Sequence, residues 1–174
     1  MDIPLALDHR RAVEADLPAV VALYDDAAHW MRAHGITQWV PGGKDLAHFR
    51  RVAAAGEVWL ALAPGDGRVV GAWELWWEDL PAWGPQAPVA GYVHRLMVDR
   101  EHAPAGAGRA MLARAEQRIA QAGRELSRLD HVTSNPRLAA YYEAAGYRVV
   151  GEQAAKRDGG GSPYGVTLRE KRLR

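Results

Sequence analysis

The chain has 174 residues, of which 48% are hydrophobic and 25% charged, and its 22 basic and 21 acidic side chains leave a net charge of +1. This length and composition are typical of one folded domain, so we predict a single domain over residues 1–174. Cysteine is absent, which excludes a disulfide-stapled scaffold, a thiolate nucleophile and any cysteine-ligated metal site. The near-neutral charge disfavours a nucleic-acid-binding protein, because such a protein needs a basic surface.

The sequence also disfavours membrane and metal partners. No apolar run approaches the roughly 20 residues that cross a bilayer, since pure runs such as Val58–Ala63 reach only six residues. The chain begins Met-Asp-Ile-Pro, without a basic region followed by an apolar one, so we expect no signal peptide and a cytoplasmic protein. The histidines show no metal-ligand spacing, so we expect no metal.

Hydrophobic periodicity and turn residues predict helices and strands along the whole chain. The first half contains a strand at Arg10–Val13, a helix from Asp16 to Ala28, a loop at His34–Gly43, a helix at Lys44–Ala55, strands at Val58–Ala63 and Val69–Trp77 joined by a turn at Gly65–Gly67, and a long connection at Pro81–Pro88. The second half contains a strand at Gly91–Val98, a helix from Gly106 to Ala122, a strand at Arg128–Thr133, a helix at Pro136–Ala144, a strand at Tyr147–Glu152, a turn at Gly159–Ser162 and a strand at Tyr164–Lys171. Asp16 is placed to cap the first helix and Gly123 to end the third. This order predicts one mixed α/β domain.

A strand that leads into a helix through glycines is the first candidate site. Leu96-Met97-Val98 ends the strand, and Gly106-Ala107-Gly108-Arg109 begins the helix. Free N–H groups at a helix N-terminus bind phosphate, and glycine lets the phosphate approach the backbone. The same glycines also suit a tight turn. The dinucleotide-binding and ATP-binding patterns are both incomplete, because Met111 stands at the third glycine position and Asp45 follows Gly43-Lys44.

A second pattern, further along the chain, is more specific. It consists of Asn135-Pro136 followed by Tyr142-Glu143 and Gly146-Tyr147, and on a helix Asn135 and Tyr142 share one face. Together with the strand and the glycine turn, this segment resembles the GCN5-related N-acetyltransferase (GNAT) family. The resemblance covers most of the chain and is most specific from about Val93 to Gly151. It implies a mixed, mostly antiparallel sheet with flanking helices, whose fourth and fifth strands splay apart to admit acetyl-CoA.

The resemblance also implies which residues contact acetyl-CoA. Leu96, Met97 and Val98 would lie along the pantetheine arm, with Asn135 close to it and Tyr142 near the thioester sulfur. The turn would hold the pyrophosphate, through Ala103, Ala105, Gly106, Ala107, Gly108 and Arg109. The family usually has Arg or Gln at the position of Ala103, and Pro104 lacks an N–H donor. A catalytically silent domain that binds or senses acyl-CoA is therefore an alternative.

Acetyl transfer to an amine needs a base for the amine and an acid for the departing sulfur, because an alkylamine has a pKa of about 10.4 and a thiol one of about 8.5. Tyr142 suits the acid, although a tyrosine here would also pack the helix onto the sheet. His94 suits the base, since its imidazole titrates near neutral pH and a period of two places it on one strand face with Leu96 and Val98. Similar histidines occupy this strand in the arylalkylamine branch of the family. A histidine hydrogen-bonded in the interior is one alternative, and Glu74 as the base is another.

The tryptophans indicate where the acceptor binds. Trp30 and Trp39 flank the first helix, and Trp76 lies on the third strand near Glu74, in regions that form the acceptor site of the family. Indoles there would form an apolar or cation-binding wall, whereas a tryptophan-rich core or dimer interface is the plainer alternative. The sequence thus predicts an N-acetyltransferase that moves acetyl from acetyl-CoA directly to a primary amine of a small molecule, since no cysteine can carry the acetyl group. An acetyltransferase acting on a protein N-terminus or lysine is an alternative. We expect no nucleic-acid or membrane partner, and a monomer or homodimer.

Overall fold

Seven strands form one mixed sheet in the computed structural model, which describes residues 5–156 and 163–174. They are β1 (Asp8–Arg11), β2 (Glu57–Leu62), β3 (Val69–Trp76), β4 (Ala90–Val98), β5 (Leu126–Val132), β6 (Arg148–Lys156) and β7 (Tyr164–Arg172), in the sheet order β1-β2-β3-β4-β5-β7-β6. The α-helices of the same residues are α1 (Leu17–Ala33), α2 (Leu46–Ala55), α3 (Leu80–Trp83), α4 (Ala107–Gln121) and α5 (Pro136–Ala144).

The sheet opens between β4 and β5. These two strands are parallel, whereas every other neighbouring pair is antiparallel. Their pairing runs only from Ala90 opposite Leu126 to Tyr92 opposite Arg128, although both strands continue beyond it. The prediction of a mixed, mostly antiparallel sheet that splays between its fourth and fifth strands is therefore confirmed.

A bulge in β4 lies beside this opening. Arg95 has a φ of 49°, and the register with β3 shifts at the same point. A left-handed residue interrupts the alternation of side chains along a strand. His94 consequently stacks on Trp76, which packs toward α1 and α2, whereas Leu96 and Val98 pack toward α4. The prediction that His94 shares a face with Leu96 and Val98 is wrong, because a strict period of two does not continue through a bulge.

Apolar side chains form a core on each face of the sheet. On one face α4 buries Met111, Leu112 and Ile119. Gly91 permits this contact, because a Cβ at that position would lie 2.5 Å from Cγ1 of Ile119. On the other face α1 and α2 bury a second cluster that includes Phe49. The two cores hold β3 and β4 from both sides and so keep the edge of the opening in place.

Most predicted elements are present, with differences at some ends. The first strand begins earlier than predicted, at Asp8, and β6 extends beyond the predicted Tyr147–Glu152. The short helix α3 occupies part of the stretch Pro81–Pro88 that the sequence predicts as a connection. The turn predicted at Gly159–Ser162 lies outside the described residues. None of the helices in the described part of the chain is long and apolar enough to span a membrane.

Two helix ends test the predicted caps. Gly123 follows α4 with a φ of 79°, and the N–H of Arg124 bonds to the carbonyl of Ile119, so the predicted glycine cap is confirmed. Asp16 precedes α1 but makes no capping hydrogen bond to it. Its carboxylate instead accepts from the N–H of Val13 and pairs with Arg10 at 2.7 Å. The reason is a 3-10 turn before α1, which directs this side chain back toward β1.

Candidate active site

The opening between β4 and β5 leads to a small cavity. Its volume is about 200 Å³, and its lining includes His94 of β4, Asp130 and His131 of β5, Tyr142 of α5 and Lys156 of β6. These residues come from elements that are distant in the sequence and meet only where the two strands part. The structure therefore places the predicted base and the predicted acid in one cavity.

A larger cleft adjoins this cavity. It has a volume of about 750 Å³ and is lined in part by Asn135 and Tyr141. The cavity and the cleft share Met31, Gln38, Arg100, Leu138 and Tyr164. Asn135 caps α5 by accepting hydrogen bonds from the N–H groups of Arg137 and Leu138. Asn135 lines the cleft and Tyr142 lines the cavity, and Asn135 is the extended N-cap just outside α5, so the shared helix face that their spacing predicts stays a prediction.

The turn before α4 carries backbone donors. The carboxylate of Asp99 accepts hydrogen bonds from N–H groups within this turn, which reverses the chain after β4. Gly106 then precedes α4 with a φ of 85°, a conformation that favours glycine. The N–H groups of Gly108 and Arg109 lie in the first turn of α4, where an α-helix offers no acceptor. This geometry can bind an anion through N–H donors and the positive end of the helix dipole.

The two residues that depart from the family pattern take part in the turn itself. The N–H of Ala103 bonds to the carbonyl of Asp99, and the carbonyl of Pro104 accepts from the N–H of Ala107. The missing donor of Pro104 thus does not interrupt the turn.

Tyr142 lies among other aromatic rings. Its ring centroid is 5.7 Å from that of His131, 5.2 Å from that of Tyr141 and 6.1 Å from that of Tyr147. Burial raises the pKa of the Tyr142 hydroxyl. The hydroxyl is therefore protonated at neutral pH and can donate a proton or a hydrogen bond.

His94 is held on two sides. Its Nε2 lies 2.8 Å from Oδ2 of Asp79, and its ring stacks on the indole of Trp76 with centroids 3.9 Å apart. Its side chain is only 6% exposed. Asp79 is a neighbour that sequence reasoning missed, because it lies on a different element and carries no signal beyond that of a helix cap.

Glu74, the alternative base, is enclosed in an ion pair. Both of its carboxylate oxygens lie 2.9 Å from Nη1 of Arg95, and they also contact Nε2 of His48 and Nε1 of Trp76. Burial alone would raise the pKa of Glu74, but Arg95 and His48 lower it to about 2. A carboxylate of such low pKa is a weak proton acceptor, so this geometry favours His94 as the base.

Comparison with known proteins identifies the family of this chain. A model of the "Acetyltransferase (GNAT) family" matches residues 37–147, which is more than half of the chain. The chain belongs to the GNAT family. It is therefore an N-acetyltransferase by family, and acetyl-CoA is the co-substrate of that family.

Solved structures of GNAT proteins share the whole fold. A GNAT acetyltransferase from Listeria monocytogenes is 27% identical with a TM-score of 0.77, and the match covers 96% of this chain and 95% of that chain. A ribosomal-protein-alanine N-acetyltransferase from Brucella melitensis is 21% identical, with a TM-score of 0.69 and coverage of 96% and 100%. The yncA protein from Salmonella typhimurium, in complex with its cofactor acetyl-CoA, is 18% identical, with a TM-score of 0.68 and coverage of 97% and 95%. No functionally curated protein matches the sequence.

The residues of this GNAT chain fit acetyl-CoA. The gap between β4 and β5 begins after Tyr92, so Leu96, Met97 and Val98 have no β5 partner among the described residues. Their backbone can therefore pair with an extended amide chain such as pantetheine. The glycine turn offers the anion-binding N–H groups, and Arg109 belongs to the same first turn of α4, with its guanidinium 6.0 Å from the centroid of the Tyr141 ring.

The predicted acceptor residues divide into two groups. Trp39 lines the cavity and stacks on Tyr24 with centroids 5.1 Å apart, and Trp30 lines the adjoining cleft with the guanidinium of Arg100 over its ring at 3.6 Å. Glu74 and Trp76 instead lie behind His94, where they hold the bulge residue and the imidazole. The fold thus brings Trp30 and Trp39 to the opening and places Glu74 and Trp76 behind it.

The cavity also contains charges that the sequence does not predict. Nζ of Lys156 lies 2.8 Å from Oδ2 of Asp130, and both side chains are at most 7% exposed. Ligand-type atoms of Asp79, His94 and Asp130 lie within 4.8 Å of one another. Because the Lys156 ammonium group already provides positive charge beside Asp130, the chemistry of this cluster favours internal charge pairing over metal binding.

Proposed function

We propose that this GNAT enzyme transfers acetyl from acetyl-CoA to a primary amine of a small molecule, by direct attack in a ternary complex. The observation that carries the proposal is that His94 and Tyr142 line one cavity where β4 and β5 part. The cavity of about 200 Å³ adjoins the cleft of about 750 Å³, and the volume of the cleft is within the range of small-molecule sites. Direct attack is supported by the absence of any cysteine that could hold the acetyl group.

The proposed roles follow from the chemistry of these side chains. Acetyl-CoA, when bound, supplies the acetyl group as a thioester. His94 takes a proton from the amine nitrogen as the new amide bond forms, and Tyr142 donates a proton to the departing sulfur. Burial keeps the Tyr142 hydroxyl protonated until the C–S bond breaks. The anionic sulfur that then forms in the same site is poorly solvated, so it readily accepts the proton.

The aromatic lining supports a small aromatic or basic amine as the acceptor. Trp39 lies on the chain between α1 and α2 and lines the same cavity as Tyr142 and Lys156. An indole can contact an apolar or a cationic group. We assign Trp39 and Trp30 to the acceptor side on this basis.

Acetyl-CoA titration is the experiment that tests the proposal first. Calorimetry should give a Kd in the micromolar range for acetyl-CoA, and a thiol-reactive dye should then report CoA release with amines, without background from this cysteine-free chain. Amines should be compared with peptides that carry a free N-terminal alanine or an internal lysine. Turnover with peptides alone would identify a protein acetyltransferase, and binding without any turnover would identify a silent acyl-CoA-binding domain. Absence of binding at millimolar acetyl-CoA would overturn the proposal.

A matched pair of variants separates the turn from the chemistry. Ala103→Gln introduces the side chain that the family usually has and should raise affinity for acetyl-CoA without changing kcat. Tyr142→Phe should instead lower kcat without changing the affinity for acetyl-CoA.

We further infer a cytoplasmic enzyme with one acetyltransferase domain over residues 1–174, acting as a monomer or homodimer without nucleic-acid or membrane partners. Its use of acetyl-CoA supports this location, because that thioester is made inside cells. Light scattering would measure the oligomeric state.

A further inference from the structure

Asp79 is a buried carboxylate beside the proposed base. Its side chain is 1% exposed, and its Oδ2 lies 2.8 Å from Nε2 of His94. This is an ion-pair distance, although the two atoms are not aligned for a hydrogen bond. Among the described residues no lysine or arginine forms an ion pair with Asp79, and Lys156, which lowers the pKa of Asp79 by its charge, is itself paired with Asp130. A carboxylate in such surroundings is stable when a positive charge forms next to it.

The surrounding structure holds Asp79 in position. Its Oδ1 accepts a hydrogen bond from the N–H of Ala82, so the carboxylate caps the short helix α3. Gln153 of β6 in turn donates to the carbonyls of Pro81 and Ala82, at 3.2 and 2.8 Å. The far edge of the sheet therefore fixes α3, and α3 fixes the carboxylate.

The imidazole of His94 is held just as closely. The indole of Trp76 covers one ring face at a centroid distance of 3.9 Å. Because an ionised carboxylate accepts protons but cannot donate one, Asp79 beside Nε2 favours the neutral tautomer with its proton on Nε2, and Nδ1 is then the atom that accepts a proton.

The other charges around His94 already have partners. Asp130 of β5 pairs with Lys156 of β6 at 2.8 Å, and Glu74 of β3 pairs with Arg95 of β4 at 2.9 Å. His131 of β5 accepts from Arg169 at Nε2, and Tyr142 of α5 is a protonated phenol. Asp79 is thus the carboxylate whose positive partner is the imidazolium form of His94.

We propose that Asp79 is a positioning residue for catalysis, which holds His94 with Nδ1 as the basic atom and stabilises the imidazolium that forms there. The proposal rests on the proposed function. As the amine nitrogen bonds to the acetyl carbon, one N–H proton passes to Nδ1 of His94; as the C–S bond breaks, the sulfur takes one proton from Tyr142. His94 then returns a proton to Tyr142 through solvent, so the protein ends in its starting protonation state.

Asp79→Asn tests this role, because asparagine keeps the size and the helix-capping oxygen but removes the charge. We expect kcat to fall about 10-fold or more with an unchanged KM for acetyl-CoA. We also expect the acidic limb of the kcat profile to move to lower pH by about one unit, since a carboxylate no longer favours the protonated imidazole. In a His94→Gln background, Asp79→Asn should have no further effect on kcat.

Asp45→Asn is the matched control. Asp45 also caps a helix with its carboxylate, by accepting from the N–H of His48, but it does not contact His94. It should leave kcat and its pH profile unchanged. A purely structural role of Asp79 would instead lower the melting temperature while leaving the pH profile in place.

Nitrogen NMR of histidine-labelled wild-type protein gives a readout that does not depend on activity or on the folding of a variant. We expect His94 in the Nε2–H tautomer, and an Nδ1–H tautomer would overturn the proposal. An active wild type with an unshifted Asp79→Asn pH profile would overturn this proposal alone. A wild type that transfers no acetyl group to any amine would overturn both this proposal and the proposed function.

Discussion

Replacing Glu74 with glutamine removes a buried charge without changing the size of the side chain. Glu74 is 0% exposed, and its partner Arg95 has a side chain that is only 4% exposed. The variant would leave the guanidinium of Arg95 buried without this carboxylate and would weaken the contact to His48. Removal of one partner from a buried ion pair costs about 3–5 kcal/mol.

The pKa of Glu74 gives a second estimate of this free-energy cost. The structure lowers this pKa from 4.5 to about 2. Because one pKa unit corresponds to about 1.4 kcal/mol, the ionised carboxylate contributes about 3 kcal/mol at neutral pH. We therefore expect Glu74→Gln to lower the free energy of unfolding at pH 7 by about 3 kcal/mol.

Urea unfolding followed by circular dichroism measures this change in the free energy of unfolding. In a separate thermal unfolding experiment, the melting temperature should fall by about 6–12 °C, at about 2–4 °C per kcal/mol for a chain of this length. Glu14→Gln is the matched control, because Glu14 forms an ion pair with Arg50 in which the two side chains are 64% and 54% exposed. The control should unfold at the urea concentration of the wild type.

The pH dependence has a defined sign. The folded pKa lies below the ordinary value, so the contribution of Glu74 is complete above about pH 5 and is lost as the pH falls toward about 2. The difference between wild type and Glu74→Gln should stay constant from pH 7 to about pH 5 and then narrow. A difference below about 1 kcal/mol at pH 7, or one that does not narrow in acid, would refute the stabilising role of this ion pair.

Three further variants test the site and the core. Tyr142→Phe should lower kcat by about 100-fold or more while the Kd for acetyl-CoA stays the same, and wild-type turnover would remove Tyr142 from the acid role. Gly108→Ala should weaken acetyl-CoA binding in calorimetry, because the new Cβ would lie 2.9 Å from Oη of Tyr141. Adding Tyr141→Phe to this variant should partly restore the affinity for acetyl-CoA, and an affinity that stays low would contradict the steric reason. Gly91→Ala should destabilise the fold by about 1–3 kcal/mol in urea, because its Cβ would lie 2.5 Å from Cγ1 of Ile119; wild-type stability would show that α4 can shift without cost.

Local signals explain why much of the fold was predictable. The apolar spacing of α4, the glycines at its two ends and the Asn-Pro start of α5 each depend on a few neighbouring residues. The same holds for the capping of α5 by Asn135, since the side chain accepts from N–H groups only two and three residues ahead of it. The family resemblance of the segment from about Val93 to Gly151 added the splayed sheet, which the pairing of β4 and β5 confirms.

The bulge at Arg95 is a feature that the neighbouring residues in the sequence do not predict. Arginine has no preference for a φ of 49°, so no residue type marked the position. The conformation is fixed by distant partners, since the Arg95 side chain pairs with the buried Glu74 of the neighbouring strand. Its consequence is that His94 and Leu96 face opposite sides of the sheet, which a period of two does not predict.

The order of the elements and the glycine turn before α4 are predictable from the sequence, because each depends on spacing within a single element, and the motifs from about Val93 to Gly151 carry the resemblance to the GNAT family. Which side chains meet at the opening depends instead on the tertiary packing. Asp79 reaches His94 through the fold of α3, and Lys156 of β6 reaches Asp130 of β5 although β7 lies between these two strands. Such pairs form between residues far apart in sequence, so packing selects them and no local pattern encodes them.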